Sequence, residues 1–301
     1  MSALIYGADH IINQSEKIAL HFDIPAFIIG ATVIALGTSL PEMAASVTAS
    51  YQGKPDMAVA NVLGSVTFNI SLVLGVIFLL AKKIEPKRDI YKNDSVWIAI
   101  PPILFLLTTY DGMISRFDGM IFLFLMFAYL LFLNNNRKSL LNSIDEDILK
   151  EKFIWGKTIL FLTIGFIFVI VGAKYTIQSA SQIASDFGIS EWVIALVLIA
   201  FGTSLPELVV SIIAVRKNNA DMAIGNIIGS NVANFAVVLG SSALVNPLPI
   251  DLTKNGFDVL SMVASSFILI YISATKLYSK PAGVVLLSII ILMLKHSLYN
   301  S

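Results

Sequence analysis

Apolar residues fall in blocks approaching the ~20 positions that carry a helix across a bilayer, and short polar clusters separate them. The pattern predicts ten helices, over 1–20, 25–50, 57–80, 95–110, 118–133, 156–182, 191–214, 222–245, 257–274 and 281–297. Two of these blocks are interrupted in the same way. Ile34-Ala35-Leu36-Gly37-Thr38-Ser39-Leu40-Pro41-Glu42 returns as Ile199-Ala200-Phe201-Gly202-Thr203-Ser204-Leu205-Pro206-Glu207. Each copy sets a carboxylate beside a helix breaker. A charge at membrane depth is costly, and irregular backbone there is tolerated only where it is buried in protein or lines a watery cavity. Two such interruptions at equivalent positions point to one two-fold-related cation site near the membrane centre.

Composition agrees with the pattern. Of 301 residues, 56% are hydrophobic and 13% charged, and the mean hydropathy is +0.82. A soluble domain carries about 25% charged residues, so the chain reads as an all-α integral membrane protein. A formal net charge of zero gives no reason to invoke nucleic acid, and no obligatory protein partner is evident beyond the lipid bilayer. With no Cys and three scattered His, zinc and redox centres are excluded as expectations, and no cofactor is expected. The donors on offer are oxygens, which suit Na⁺, Ca²⁺ or Mg²⁺.

The second motif lies 165 positions after the first, and that offset holds without a gap over some seventy residues. Gly7-Ala8 falls on Gly172-Ala173, Ser46 on Ser211, Asp56-Met57-Ala58 on Asp221-Met222-Ala223, Asn61 on Asn226, Gly64-Ser65 on Gly229-Ser230, and Asn69 on Asn234. Gly, Asn, Ser, Pro and Glu matched in register mark an internal duplication. The copies start five helices apart, an odd number, so the halves are expected to be inverted-topology repeats. The halves run 1–133 and 156–301, joined by a polar linker at 134–155. Fourteen Lys and Arg lie in the odd-numbered loops against four in the even-numbered loops and C-terminal tail. The positive-inside rule therefore makes the linker cytoplasmic and sets both termini outside, in a multi-pass protein of the cell membrane. Met1 aligns with Phe166, whereas the sixth helix is expected to begin near Trp155, so the first helix is expected to be truncated, its natural start lying upstream.

Pro41 and Pro206 lack an N–H, so the carbonyls of Gly37 and Gly202 are expected to lose their helical donors. The broken helix then offers oxygens beside the carboxylate, from its carbonyls and from Thr38, Ser39, Thr203 and Ser204. Ser39 and Glu42 share a helical face, as do Ser204 and Glu207. A second constellation, Asn61-x-x-Gly64-Ser65-x-x-x-Asn69, recurs as Asn226-x-x-Gly229-Ser230-x-x-x-Asn234. Its spacing makes one helical stripe. Asn61 and Asn226 suit interhelical glue, while Ser65, Asn69, Ser230 and Asn234 suit ion ligation. Asn231 has no counterpart, Val66 filling that slot, and receives no role. Asp111, Asp118, Asp251 and Asp258 read as helix-end residues, the three His as structural, Pro101-Pro102 as a kink, and Phe122, Phe124, Phe127 and Phe132 as lipid-facing bulk.

The paired GTSLPE and Asn-x-x-Gly-Ser-x-x-x-Asn motifs resemble the α-repeats of the cation/calcium exchanger superfamily, in particular compact prokaryotic sodium/calcium exchangers. The resemblance covers nearly the whole chain. It implies a non-enzymatic antiporter that exchanges Ca²⁺ for Na⁺ by alternating access in a prokaryotic plasma membrane, with the first and sixth helices mobile. It makes Glu42 and Glu207 the central ion ligands, assisted by Thr38, Ser39, Thr203, Ser204, Ser65, Asn69 and Ser230 and the backbone oxygens of Ala35 and Ala200. Asn at 234, where potassium-dependent members carry Asp, implies independence from K⁺. The proton-coupled branch carries a further Glu where this chain has Gly64-Ser65 and Gly229-Ser230. An H⁺/Ca²⁺ or broader divalent-cation antiporter is the alternative on the same scaffold. A channel fits less well because inverted repeats suit alternation, and a scaffold without transport leaves both Glu–Pro pairs unexplained.

Overall fold

The computed structural model describes residues 2–80, 84, 86–136, 153–186 and 200–300. Among these, helix dominates: α1 (Ser2–His21), α2 (Ala26–Thr38), α3 (Leu40–Tyr51), α4 (Pro55–Leu80), α5 (Ile90–Thr108), α6 (Arg116–Asn135), α7 (Trp155–Asp186), α8 (Ala200–Thr203), α9 (Leu205–Arg216), α10 (Ala220–Val245), α11 (Leu252–Thr275) and α12 (Lys280–Asn300). The expected spans fall on these helices. The seventh is seen only through α8 and α9, because 191–199 lie outside the described residues.

Side chains are distributed as lipid requires. Phe124 is 70% exposed and Leu107 69%, while Glu42, Asn69, Glu207 and Asn234 are wholly buried. In water that arrangement would expose large apolar patches and bury charge. Surrounded by lipid, the apolar shell is favourable and the polar residues are sequestered inside. Among the described residues, α4, α6, α10, α11 and residues Trp155–Ser179 of α7 are long and apolar enough to cross a bilayer, and α2 with α3 reads as one broken span.

Contacts divide the chain into two compact units that interleave the sequence halves. One comprises 1–38, 85–88 and 131–229, and the other 39–84, 89–130 and 230–301. In the first, α1 packs along α7 and against α9, around a core that includes Leu4, Ile11, Val169, Val210 and Met222. Here α2 and α10 approach closely enough that a β-carbon at Gly225 or Gly229 would overlap the backbone of Phe27 or Ala31. In the second unit, α3 lies on α4 and on the Asn234–Leu239 turn of α10, while α11 packs on α5 and α12 on α4.

Contacts between loops test the topology count. Within the first unit, the backbone N–H groups of Lys87 and Arg88 donate to Asp221 at 3.2 and 3.1 Å, and His21 stacks on Phe153 with centroids 4.0 Å apart. Each pair joins residues in or beside two odd-numbered loops. Within the second, Met113–Ile114 and Leu248–Pro249 form a two-stranded antiparallel ribbon, and Ser50 Oγ donates to the Ser242 carbonyl at 2.7 Å. Each of those pairs joins two even-numbered loop regions. Within each unit these pairs join regions of the same parity.

Two boundaries differ from expectation. Helix α5 starts at Ile90 because Asp89 caps it, its carboxylate accepting from the Lys92 N–H at 3.1 Å. Helix α11 starts at Leu252 because Asp251 accepts from the Thr253 N–H and hydroxyl at 2.9 and 2.5 Å. Those bonds, the hydroxyl's foremost, hold the Asp251 carboxyl below its usual range. Asp258 therefore lies inside α11 rather than at its end. A third correction concerns Phe122, which is fully buried against the close approach of α6 to Gly240 rather than lipid-facing.

Candidate functional site

The helix breaks where the prolines demand. Ser39 adopts φ −85°, ψ 4° between α2 and α3, and Ser204 adopts φ −88°, ψ 3° between α8 and α9. Helix resumes at once in both copies, with the Met43 N–H donating to the Ser39 carbonyl and the Leu208 N–H to the Ser204 carbonyl, each at 3.1 Å. Glu42 and Glu207 occupy the first turns of the resumed helices α3 and α9, where the orphan N–H groups and helix dipole favour negative charge. Both are completely buried.

A second irregularity also appears twice. Within α4, residues Asn69–Leu74 form a π-turn, and within α10 residues Asn234–Leu239 do the same, at corresponding positions of the repeats. A π-turn inserts an extra residue into the helical ladder and redirects the side chain at its start. Asn69 and Asn234 begin these turns, and both are completely buried. A third π-turn, Gly30–Ile34, lies in α2; the corresponding positions 195–199 lie outside the described residues.

In the second unit, α3 brings Glu42 against α4 with Ser65 and Asn69, and α10 contributes Ser230, Asn231 and Asn234. Ser39, Ser65 and Ser230 are buried. Neither Ser65 Oγ, Asn69 Oδ1 nor either polar atom of the Asn234 amide meets a hydrogen-bond partner among the described residues. A buried polar atom without a partner costs about 1–3 kcal/mol, and several together on one set of helices make this lining a candidate ion site. The donor set is oxygen, suited to a hard cation.

In the first unit, α9 carries Glu207 and Ser204, and the C-terminal end of α2 carries Ala35 and Thr38 against α9 and α7. Thr38 is buried and its hydroxyl lies 3.1 Å from the Ile34 carbonyl and 3.3 Å from Asn226 Oδ1. Ser204 Oγ is buried without a hydrogen-bond partner among the described residues. Thr203 is half-buried at the end of α8, which Ala200 begins.

Asn61 and Asn226, read from the spacing as interhelical glue, each bond to a neighbouring helix. Asn61 Nδ2 donates to Ser46 Oγ at 2.8 Å and to the Glu42 carbonyl at 3.3 Å. In the other repeat Asn226 Nδ2 donates to Ser211 Oγ at 3.0 Å. Both asparagines thus tie the helix that carries the stripe to the helix that carries the glutamate. The histidines are structural: His10 packs edge-on against Tyr6 and Phe161, and His296 stacks on Phe257. Sequence reasoning passed over Asn231, whose Oδ1 accepts from Asn69 Nδ2 at 3.1 Å. Its one visible signal was an amide where the first repeat has Val66.

Comparison with known proteins bears on the family of the chain. The family described as sodium/calcium exchanger protein matches residues 1–134 and 157–299. An uncharacterized membrane protein of Methanocaldococcus jannaschii is 39% identical over 246 residues, covering 82% of this chain and 80% of that one. The sodium/calcium exchanger MaX1 of Methanosarcina acetivorans is 31% identical over 324 residues, covering 94% and 92%. Among solved structures, the sodium-calcium exchanger NCX_Mj soaked with zero Na⁺ and Ca²⁺ superposes with a TM-score of 0.80 at 33% identity, covering 96% of this chain and 93% of that one.

Proposed function

The chain belongs to the sodium/calcium exchanger family, and from that premise we propose that it is an antiporter exporting Ca²⁺ with inward Na⁺, without requiring K⁺. The observation that carries this reading is the duplicated hinge, a buried glutamate following a Ser–Leu–Pro break at both Glu42 and Glu207. Two carboxylates supply a charge of −2, which balances one Ca²⁺ or two Na⁺. Mutually exclusive occupancy then yields exchange with no covalent chemistry and no resident cofactor, the ions being cargo.

The remaining ligands in this proposal are neutral oxygens. They are the hydroxyls of Thr38, Ser39, Thr203, Ser204, Ser65 and Ser230, the amides of Asn69 and Asn234, and the backbone carbonyls of Ala35 and Ala200. Such groups replace the water around Na⁺, whereas a proton needs only the carboxylates. Gly64-Ser65 and Gly229-Ser230 add no further titratable group, which favours Na⁺ as the coupling ion. Asn rather than Asp at position 234 withholds the extra charge that K⁺ co-transport would use. A site of charge −2 is costly at membrane depth without its cation, so the empty carrier stays put and exchange remains coupled. Inverted halves provide two related conformations, one open to each side. The protein is proposed to sit in the cell membrane with both termini outside.

Ca²⁺ uptake into proteoliposomes under imposed gradients tests this. An outward Na⁺ gradient should drive uptake with no K⁺ present, a pH gradient alone should drive little, and acidification should inhibit by protonating the glutamates. Robust uptake in Na⁺-free medium under a pH gradient would establish proton coupling instead.

A further inference from the structure

We infer that Asn231 is a positioning residue, holding the Asn69 amide so that its oxygen, rather than its NH₂, is presented to the cation. An asparagine amide fills the same space in two orientations, and the surrounding hydrogen bonds select between them. Within the second unit, Asn69 Nδ2 donates to Asn231 Oδ1 at 3.1 Å. That bond commits the nitrogen to one side and turns Oδ1 to the other. Asn69 is completely buried, and Oδ1 meets no hydrogen-bond partner among the described residues. Ser65, one turn earlier on α4, has its hydroxyl in the same condition. A cation attracts the carbonyl end of the amide and repels the NH₂ end. The flipped orientation would cost a favourable ion contact, and it would keep a bond to Asn231 only if the Asn231 amide turned as well.

The two repeats differ here. Asn234 corresponds to Asn69, and Val66 corresponds to Asn231. A valine has no acceptor, and neither polar atom of the Asn234 amide has a hydrogen-bond partner among the described residues. One amide of the duplicated pair is thus locked by a neighbour that the other lacks. Preorganised ligands bind more tightly because less ordering remains to be done on binding, so the lock should be felt in Ca²⁺ affinity and not in turnover.

The inference rests on the reading of Asn69 as an ion ligand, and the test separates the two. The readout is uptake of radioactive Ca²⁺ into Ca²⁺-loaded proteoliposomes containing the full chain, a self-exchange that is independent of the coupling ion. Asn231→Val, which installs the first repeat's residue, should raise the KM for Ca²⁺ about fivefold, the worth of one net hydrogen bond, with the maximal rate within about twofold. Asn231→Ala serves if the valine variant does not assemble. Asn231→Asp keeps an acceptor for Nδ2 and should leave KM at or below that of the unmodified protein. Asn69→Ala removes the group being positioned, so adding Asn231→Val to it should raise KM no further. Unchanged KM in Asn231→Val, an Asn231→Asp KM raised as far as in the valine variant, or effects that multiply in the double variant, would each overturn the positioning role while leaving Asn69 a ligand. An inert Asn69→Ala would overturn the ligand reading itself, and the positioning role with it.

Discussion

The role proposed for Glu42 and Glu207 rests on charge placed where charge is expensive. Each is completely buried at the first turn of a helix that resumes after a proline break. Glutamine has the same shape and similar hydrogen-bonding reach but no charge, which isolates the electrostatic contribution. Removing one partner of a buried charge pair costs about 3–5 kcal/mol, so Glu42→Gln and Glu207→Gln should each depress Ca²⁺ exchange about 100-fold or more. Ser65→Ala removes a neutral ligand and should cost only about fivefold. Retention of near-normal flux in either glutamine variant would remove the carboxylates from the site. The order of the effects matters as much as their size, because a folding defect would not rank the substitutions by charge.

At the scale of elements, the fold places irregular backbone where sequence repeats itself. The breaks at Ser39 and Ser204 share one conformation, and the π-turns begin at Asn69 and Asn234. Elsewhere the helices are held by close contact. Gly225 and Gly229 let α10 lie directly on the backbone of α2 at Phe27 and Ala31. A methyl group there meets backbone, which cannot swing away as a flexible side chain would. Gly229→Ala and Gly225→Ala should each destabilise the protein by about 1–3 kcal/mol, seen as a lower thermal unfolding midpoint in detergent. An unchanged midpoint would show that α2 and α10 can separate without penalty.

At the scale of the molecule, the contacts within each unit pair loops that the distribution of Lys and Arg places on one side. The 87–88 segment meets Asp221 and the ribbon joins 113–114 to 248–249. Contacts of this kind establish pairing but not which side is cytoplasmic, and that assignment comes from charge. The absence of native cysteine makes the test clean. A cysteine at exposed Lys54 should react with an impermeant thiol reagent in intact cells, and a cysteine at exposed Lys87 only after permeabilisation. The reverse pattern would turn the protein over in the membrane, and with it the direction of each half of the exchange cycle.

The linear sequence by itself determined the class of protein, the duplication, the two hinge motifs and the residues offered as ligands. Those properties are local or periodic. Span length is a count of consecutive apolar residues, a proline breaks its own helix wherever it sits, and a repeat is visible as register. Helix starts were less legible, since single caps at Asp89 and Asp251 extend α5 and α11 beyond their apolar blocks. Tertiary structure alone decided the rest. The π-turns at Asn69 and Asn234 arise where a helix accommodates its neighbours, and no propensity marks them. Phe122 looks the same in the chain as Phe124, yet the close approach of α6 to Gly240 buries one and leaves the other to lipid. Asn231 stands without a counterpart in the duplication, so register could assign it nothing. Its bond to Asn69 spans 162 residues, and such a contact exists only once α4 and α10 have packed.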